Sequence, residues 1–332
     1  MRKGKRWLAA AVSAAMIVQS LASVGPVYAA DDGVSIADTF TDSSFRSYVS
    51  SNFDKDSNGY LSDAEIANVT SIDVSKCSPA ISSLNGVELF TNLSKLDCNE
   101  QSIRNLDIEN LENLEYIDVS SNRIDSLTLP VSAEKLTYLD ISGNKITSLT
   151  SLADYNNLVL LNANSTNLSS IDVSNMKGLK VLGVSGTTIS TLDLGSNMEL
   201  TTLYCDSMRS LPVLDVSGHE KLKNLYCAGA KSDSGVVVRS SITKLDVSGD
   251  IVLGSLDCSN SYVAELNIDN TPALTTLDCS NTRLTSIDVS KNTSLSYLDV
   301  SSNVLGAVDF TANTALRELY VKDTGINKLD VS

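Results

Sequence analysis

Asp54, Asp56, Asn58, Tyr60, Ser62 and Glu65 fall at positions one, three, five, seven, nine and twelve of a single twelve-residue stretch, with Gly59 at position six. That pattern suits a hard, oxygen-seeking cation. Calcium takes six to eight oxygens, and the stretch offers side-chain oxygens from Asp54, Asp56 and Asn58, the carbonyl of Tyr60, a direct or water-bridged Ser62 and two oxygens from Glu65. Gly59 permits the sharp turn such a loop needs. An unpaired loop of this kind is expected to bind weakly, in the range of about 10⁻⁴ to 10⁻³ M that serves extracellular modules. The expected cofactor is Ca2+.

Two helices must hold that loop. Phe45, Val49 and Phe53 recur at i, i+4 and i+8 upstream, an apolar helical stripe. Ser62 and Glu65 form a capping-box pair that starts an exiting helix, and Ile66 runs within a few residues into Val69 and Ile72. The exiting helix is therefore expected to seal the first coil of a repeat.

The repeat is read from its leucines. Leu319, Leu298, Leu277 and Leu256 are 21 residues apart, and the column continues through Leu225, Leu203, Leu182, Leu161, Leu139, Ile117, Leu96 and Ile72 at spacings of 31, 22, 21, 21, 22, 22, 21 and 24. In Leu274-Thr-Thr-Leu277-Asp-Cys279 apolar and polar residues alternate, the period of a short strand with one face inward. One coil has too few apolar side chains, at about 1.5 to 3 kcal/mol each when buried, to offset about 1 to 2 kcal/mol of backbone entropy per ordered residue. Stacked coils at about 4.8 Å share a core and a parallel sheet.

The stretches LDCSNTRLTSIDVSKNTSLSYLDVSSN (277–303) and LEYIDVSSNRIDSLTL (114–129) resemble the leucine-rich-repeat surface proteins of Firmicutes, of the internalin type, over residues 69–332. The expected fold is a repeat solenoid, a parallel β-sheet of about 12 coils of 21–22 residues, behind a small helical EF-hand-like cap. The ladder residue of that family corresponds to Asn122, Asn144 and Asn303 here. Thr166, Thr187, Thr282 and Thr324 replace it elsewhere, with less reach. The domains expected are a signal peptide over 1–29, a calcium-binding N-terminal cap over 30–68 and the solenoid over 69–332, which stops in mid-repeat at Leu329-Asp-Val-Ser332 and is expected to be truncated there. Arg2, Lys3, Lys5 and Arg6 before the apolar run from Trp7 to Val24, then Val27-Tyr28-Ala29, carry the signal-peptide reading.

Without those four basic residues the chain has 21 Lys and Arg against 40 Asp and Glu, a net charge of −19. Nucleic acid and anionic lipid are poor partners for such a chain. Past the leader no stretch is apolar enough to span a membrane. The localisation read is secreted, extracellular or cell surface, and the chain is expected to be a monomer. Catalysis has no support: there is no GxSxG, HExxH or glycine-rich phosphate loop, and His219 in Ser217-Gly-His-Glu220 reads as a solvent-exposed turn residue.

Cys98, Cys205, Cys227, Cys258 and Cys279 share the inward position that Val119, Val184 and Val300 fill elsewhere, so buried free thiols are expected, with Cys205–Cys227 and Cys258–Cys279 the bridges to consider. Asp97, Asp118, Asp140, Asp257, Asp278 and Asp299 face outward, and their mutual repulsion calls for neighbouring serines or a cation. In the middle coils acids give way to Leu160, Val181, Tyr204 and Tyr226, flanked by Tyr116 and Tyr138 on one side and Tyr297 and Tyr320 on the other. Outward aromatics suit a contact surface. The function read is a binding or adhesion scaffold for a protein or glycan ligand, with Leu160, Val181, Tyr204 and Tyr226 as contact residues and the long 225–256 spacing as a bulge over 228–241 beside them. The alternative is a spacer or targeting module of a larger surface protein whose C-terminal, enzymatic part is absent.

Overall fold

The computed structural model describes residues 33–149, 152, 155–231 and 236–326. The leader, its cleavage site and the mid-repeat stop at 329–332 lie outside the described residues. None of the described helices is long and apolar enough to cross a membrane.

Each alternating segment forms a three-residue strand whose middle residue is buried, Leu319 of the last strand only partly. Twelve of them build one parallel sheet, running from Ser71–Asp73 through Lys95–Asp97 and its successors to Glu318–Tyr320. The register is strict: Ile72 pairs with Leu96, Leu96 with Ile117, and Leu277 with Leu298. The solenoid and its coil count are therefore as the spacing predicts. Behind the sheet the second apolar set of each coil closes the core, and short parallel sets form there: Asn105–Asp107 with Ser126–Thr128, and Val213–Asp215 with Lys244–Asp246 and Glu265–Asn267.

Two side-chain ladders tie successive coils. Asn122 accepts from the Ile103 N–H at 3.0 Å and donates to the carbonyls of Cys98, Val119 and Ser120, so one amide spans two coils. Asn144 and Asn303 repeat the pattern. Thr166, Thr187, Thr282 and Thr324 each donate to the carbonyl three residues back in their own coil, and none reaches the preceding coil's carbonyl as the asparagines do. A hydroxyl has less reach, as the sequence implied, and meets a neighbouring coil only where that coil supplies the side chain: Asn303 Oδ1 for Thr282 at 2.6 Å and the Met208 sulfur for Thr187 at 3.7 Å.

The second ladder escapes a reading of the sequence, although its spacing is as regular. Asn197, His219, Asp250, Thr271, Asn292 and Asn313 are all buried on the other edge. His219 is thus not a solvent-exposed turn residue. It is 3% exposed, with Nδ1 2.7 Å from the Val216 oxygen and Nε2 3.2 Å from the Leu194 oxygen. The turn is polar by composition, but the solenoid aims this one position inward.

The cap is built on aromatics. Helix α1 (Ile36–Thr39) and helix α2 (Ser43–Asn52) meet over Phe40 and Phe45, whose rings lie edge to face at 5.5 Å. Asp42 caps α2 by accepting from the Ser44 and Phe45 N–H groups, and its other oxygen accepts from Ser82, in the first coil. Phe90 of that coil stacks on Phe40 at 6.0 Å and meets Phe53 at 5.3 Å, so cap and solenoid share one core. Helix α3 (Asp63–Ala67), expected to seal the coil, buries none of its residues fully. Its Ile66 packs partly buried against the core, and the fully buried part of the seal is made by Phe40, Phe45 and Val49, because α3 is only five residues long.

Candidate functional site

The cap loop runs from the end of α2 to the start of α3. Within it one ligand atom from each of Asp54, Asp56 and Glu65 lies within 4.8 Å of the others, and among the described residues no other such acidic, His or Cys group occurs. Asp54 is buried and accepts from the Asn58 and Gly59 N–H groups; Gly59, at φ +86°, makes the turn that aims them. Asn58 Oδ1 accepts from the Tyr60 N–H at 2.7 Å. Glu65 closes the ring: one oxygen accepts from the Lys55 N–H at 2.6 Å, the other from the Ser62 N–H and hydroxyl at 2.9 and 2.8 Å. The Ser62 N–H holds the Glu65 carboxyl below its usual range, so it is ionised at neutral pH. The Lys55 ammonium turns away to the Asn52 carbonyl, leaving the carboxylates without a lysine among them.

The sequence gives no sign of one partner of this loop. Strand β1 (Val34–Ser35) pairs antiparallel with β2 (Tyr60–Leu61), the second half of the loop. A strand from the start of the described chain holds it, and the Ile36 N–H reaches the Gly59 carbonyl at 3.1 Å.

The second surface is the outer face of the twelve-stranded sheet, where two residues flank the central apolar residue of each strand. Of those expected to face outward, Asp97, Asp118 and Asp140 are buried, because the neighbouring coils and their own loop serines and Asn99 cover them. The first column reads Ser71, Lys95, Tyr116, Tyr138, Leu160, Val181, Thr202 and onward; the other reads Asp73, Asp97, Asp118, Asp140, Asn162, Gly183, Tyr204, Tyr226, Asp257, Asp278, Asp299 and Tyr320. Leu160 and Val181 are neighbours in the first column, Tyr204 and Tyr226 in the other. The two pairs are offset by two residues, about 7 Å along a strand. Tyr116 and Tyr138 stack at 4.3 Å, Tyr204 and Tyr226 at 5.1 Å, and Lys95 covers the outer face of Tyr116 at 5.1 Å. An apolar band thus crosses the face diagonally, from Lys95 to Tyr226, with Tyr204 at 38% the most exposed of the four contact residues.

The acid column is compensated where it stands. Asp118 accepts from the Ser120 N–H and hydroxyl, Asp140 from those of Ser142, and Asp97 from Asn99. Burial pushes the Asp97 carboxyl up, with Asp73 and Asp118 adding repulsion and the Asn99 N–H opposing it. Burial likewise raises Asp278, beside Asp257 and Asp299.

On the core side of the same strands all five column cysteines are fully buried free thiols. Burial pushes Cys98 and Cys279 far above the ordinary thiol range, so neither is a nucleophile at neutral pH.

Comparison with known proteins agrees with this construction. The family model described as Leucine Rich repeats (2 copies) matches residues 112–154, and that described as Leucine Rich repeat matches residues 291–309. The fold is a leucine-rich-repeat solenoid. Among solved structures it is similar to the functional domain of InlJ from Listeria monocytogenes, described as including a cysteine ladder, at 33% identity and a TM-score of 0.76 over 90% of this chain. This chain spans 63% of the length of that InlJ chain. The internalin InlF of Listeria monocytogenes is 20% identical with a TM-score of 0.66, covering 88% of this chain and 85% of that one; the Leptospira interrogans protein LIC12759 is 16% identical with a TM-score of 0.53, covering 72% and 68%. At those identities the likeness is one of fold. No curated protein matches by sequence.

Proposed function

We propose that the chain is a secreted or cell-surface binding scaffold that engages a protein or glycan ligand through the apolar band of its sheet face, with calcium as a structural ion in the cap. It is a binder and no enzyme. The observation that carries this reading is the band itself. Acids flank the middle of the second column, Asp73 to Asp140 before it and Asp257 to Asp299 after it, yet in the middle coils Tyr204 and Tyr226 of that column, with Leu160 and Val181 of the first, present apolar surface to solvent in an acid-rich chain. Aromatic patches with a polar rim are where binding energy concentrates. The likeness to internalins supports the export and the surface location, and the same likeness supports a protein partner over a glycan.

The cap loop supports the calcium. Asp54, Asp56, Asn58, Glu65 and the Tyr60 carbonyl supply the oxygens, and Ser62, whose hydroxyl is engaged with Glu65, reaches the ion through water. The ion neutralises three converging carboxylates and fixes β2 against β1.

The test is a surface screen of the mature protein against matrix proteins, host-cell surfaces and glycans, comparing wild type with the Tyr204→Ser, Tyr226→Ser double variant. Loss of roughly tenfold or more in affinity is expected, since two aromatic anchors are each worth about 1 to 2 kcal/mol or more. Unchanged binding to a ligand of the wild type would move the contact elsewhere.

A further inference from the structure

Lysine and arginine are used differently in this chain. Among the described residues every ion pair is made by a lysine: Lys95, Lys221, Lys244, Lys291 and Lys322. None of the described arginines is paired with a carboxylate, although acids far outnumber bases. Arginine is the residue that planar recognition of oxyanions favours, and guanidiniums kept clear of the chain's own acids keep a positive charge that no internal carboxylate neutralises.

Two of them converge. Tyr262 and Arg283 each follow a residue of the Asn122-type ladder, Ser261 and Thr282, in successive coils, and Arg239 stands at the foot of the hairpin formed by Ala230–Lys231 and Val237–Val238. Arg283 Cζ lies over the Tyr262 ring at 4.2 Å from its centre, and Arg239 Cζ lies 5.6 Å from the same centre. Arg239 is locked in place. It donates to the Ser261 carbonyl at 2.7 Å and to both the carbonyl and the side-chain oxygen of Asn281. Arg283 is exposed, with its guanidinium held by the ring alone. An arginine restrained over an aromatic ring loses little further freedom when it binds, which favours recognition by preorganisation.

We propose that Arg239, Tyr262 and Arg283 form a recognition site for a single phosphate group, carried by a small phosphorylated ligand. The chemistry chooses phosphate over carboxylate. One guanidinium fork satisfies a carboxylate, whereas a phosphate has enough acceptor oxygens to engage two. The charge chooses a single group over a polymer. A chain of net charge −19 after loss of its leader repels an extended polyanion, while a compact phosphate meets only the two local cations. The site lies on the ladder edge of the solenoid, off the apolar band, so it does not depend on the ligand proposed for that band.

The experiment is a titration of the mature ¹⁵N-labelled protein with inorganic phosphate, and separately with acetate, following arginine Nε–H resonances. Saturable shifts confined to Arg239 and Arg283 are expected with phosphate in the millimolar range, and binding of acetate roughly tenfold weaker. Arg283→Ala should abolish saturation at Arg239 with only a small fall in melting temperature, because the ring contact it loses is exposed and weak. Tyr262→Leu, which keeps both charges, should weaken binding several-fold. The idea is overturned by shifts that spread equally over Arg123, Arg209 and Arg317, by acetate binding as tightly as phosphate, or by an Arg239 response unchanged in Arg283→Ala.

Discussion

Asp250 stands in a column whose other buried members are amides, a hydroxyl and an imidazole. Asn197 and Asn313 there donate their Nδ2 to two carbonyls each of the preceding coil, those of Val173 and Met176 and those of Val289 and Asn292. Asp250 Oδ1 accepts the His219 N–H at 2.8 Å, but Oδ2 receives no hydrogen bond, in the place where the asparagines carry a donor. Burial pushes this carboxyl up to about 8, with Asp246 and Asp215 adding repulsion and the His219 N–H opposing it. A carboxyl whose folded value lies above its unfolded value of about 3.9 stabilises the fold fully below pH 4 and loses that contribution as pH rises through 8. The melting temperature should therefore fall between pH 5 and pH 8.5. Asp250→Asn, which supplies the missing donor, should flatten that decline and melt higher than wild type at pH 8.5. Calorimetry at the two pH values decides it, and parallel profiles for the two proteins would show that Asp250 is ionised in the fold.

At the scale of elements, the insertion between Leu225 and Leu256 is a hairpin whose entry passes through a very tight place. A Cβ built on Gly229 meets the Asn260 carbonyl oxygen at 2.0 Å and the Val238 oxygen at 2.6 Å, both backbone atoms that two coils and the hairpin hold in position. The Gly229 N–H reaches the Ser259 carbonyl at 2.8 Å, and Ser240 resumes the ladder beside Ser261. Only glycine lets the chain leave and rejoin the stack here. Gly229→Ala should cost about 2 to 3 kcal/mol in urea unfolding, the scale of overpacking in a core. A neutral result would mean that the hairpin base yields.

On the scale of the whole molecule, a solenoid is stabilised by neighbour contacts, so its ends govern its fraying. The cap and first coil share Phe40, Phe45 and Phe90, and the loop of Asp54 to Glu65 is joined to that core through β1 and β2. Calcium at 1 mM with a dissociation constant near 10⁻⁴ M would add about 1.4 kcal/mol. The gain belongs to the N-terminal end. Hydrogen exchange should slow on calcium addition at the amides of Val74 and Cys98 and remain unchanged at Cys279 and Val300, and Glu65→Gln should remove the difference. Equal exchange with calcium and with chelator would refute a structural ion.

Much of this was legible without coordinates, for a physical reason. Once a leucine recurs every 21 or 22 residues and must be buried, in-register parallel stacking is the one way to share a core, and every other residue inherits a column from it. The coil count, the thiol column, the acid column with its serines and the outward Leu160, Val181, Tyr204 and Tyr226 all follow from that inheritance. So do the carboxylates of the cap loop, because their spacing is local. What the sequence left open depends on direction or on distance along the chain. The turns holding His219 and Asp250 are polar, and only the stacked coils show that these positions point inward. The β1–β2 pair joins residues 25 apart, and Arg239 reaches Asn281 across 42. That two pairs from different columns make one band is a matter of register, settled when twelve strands stack and bring Leu160 and Val181 beside Tyr204 and Tyr226.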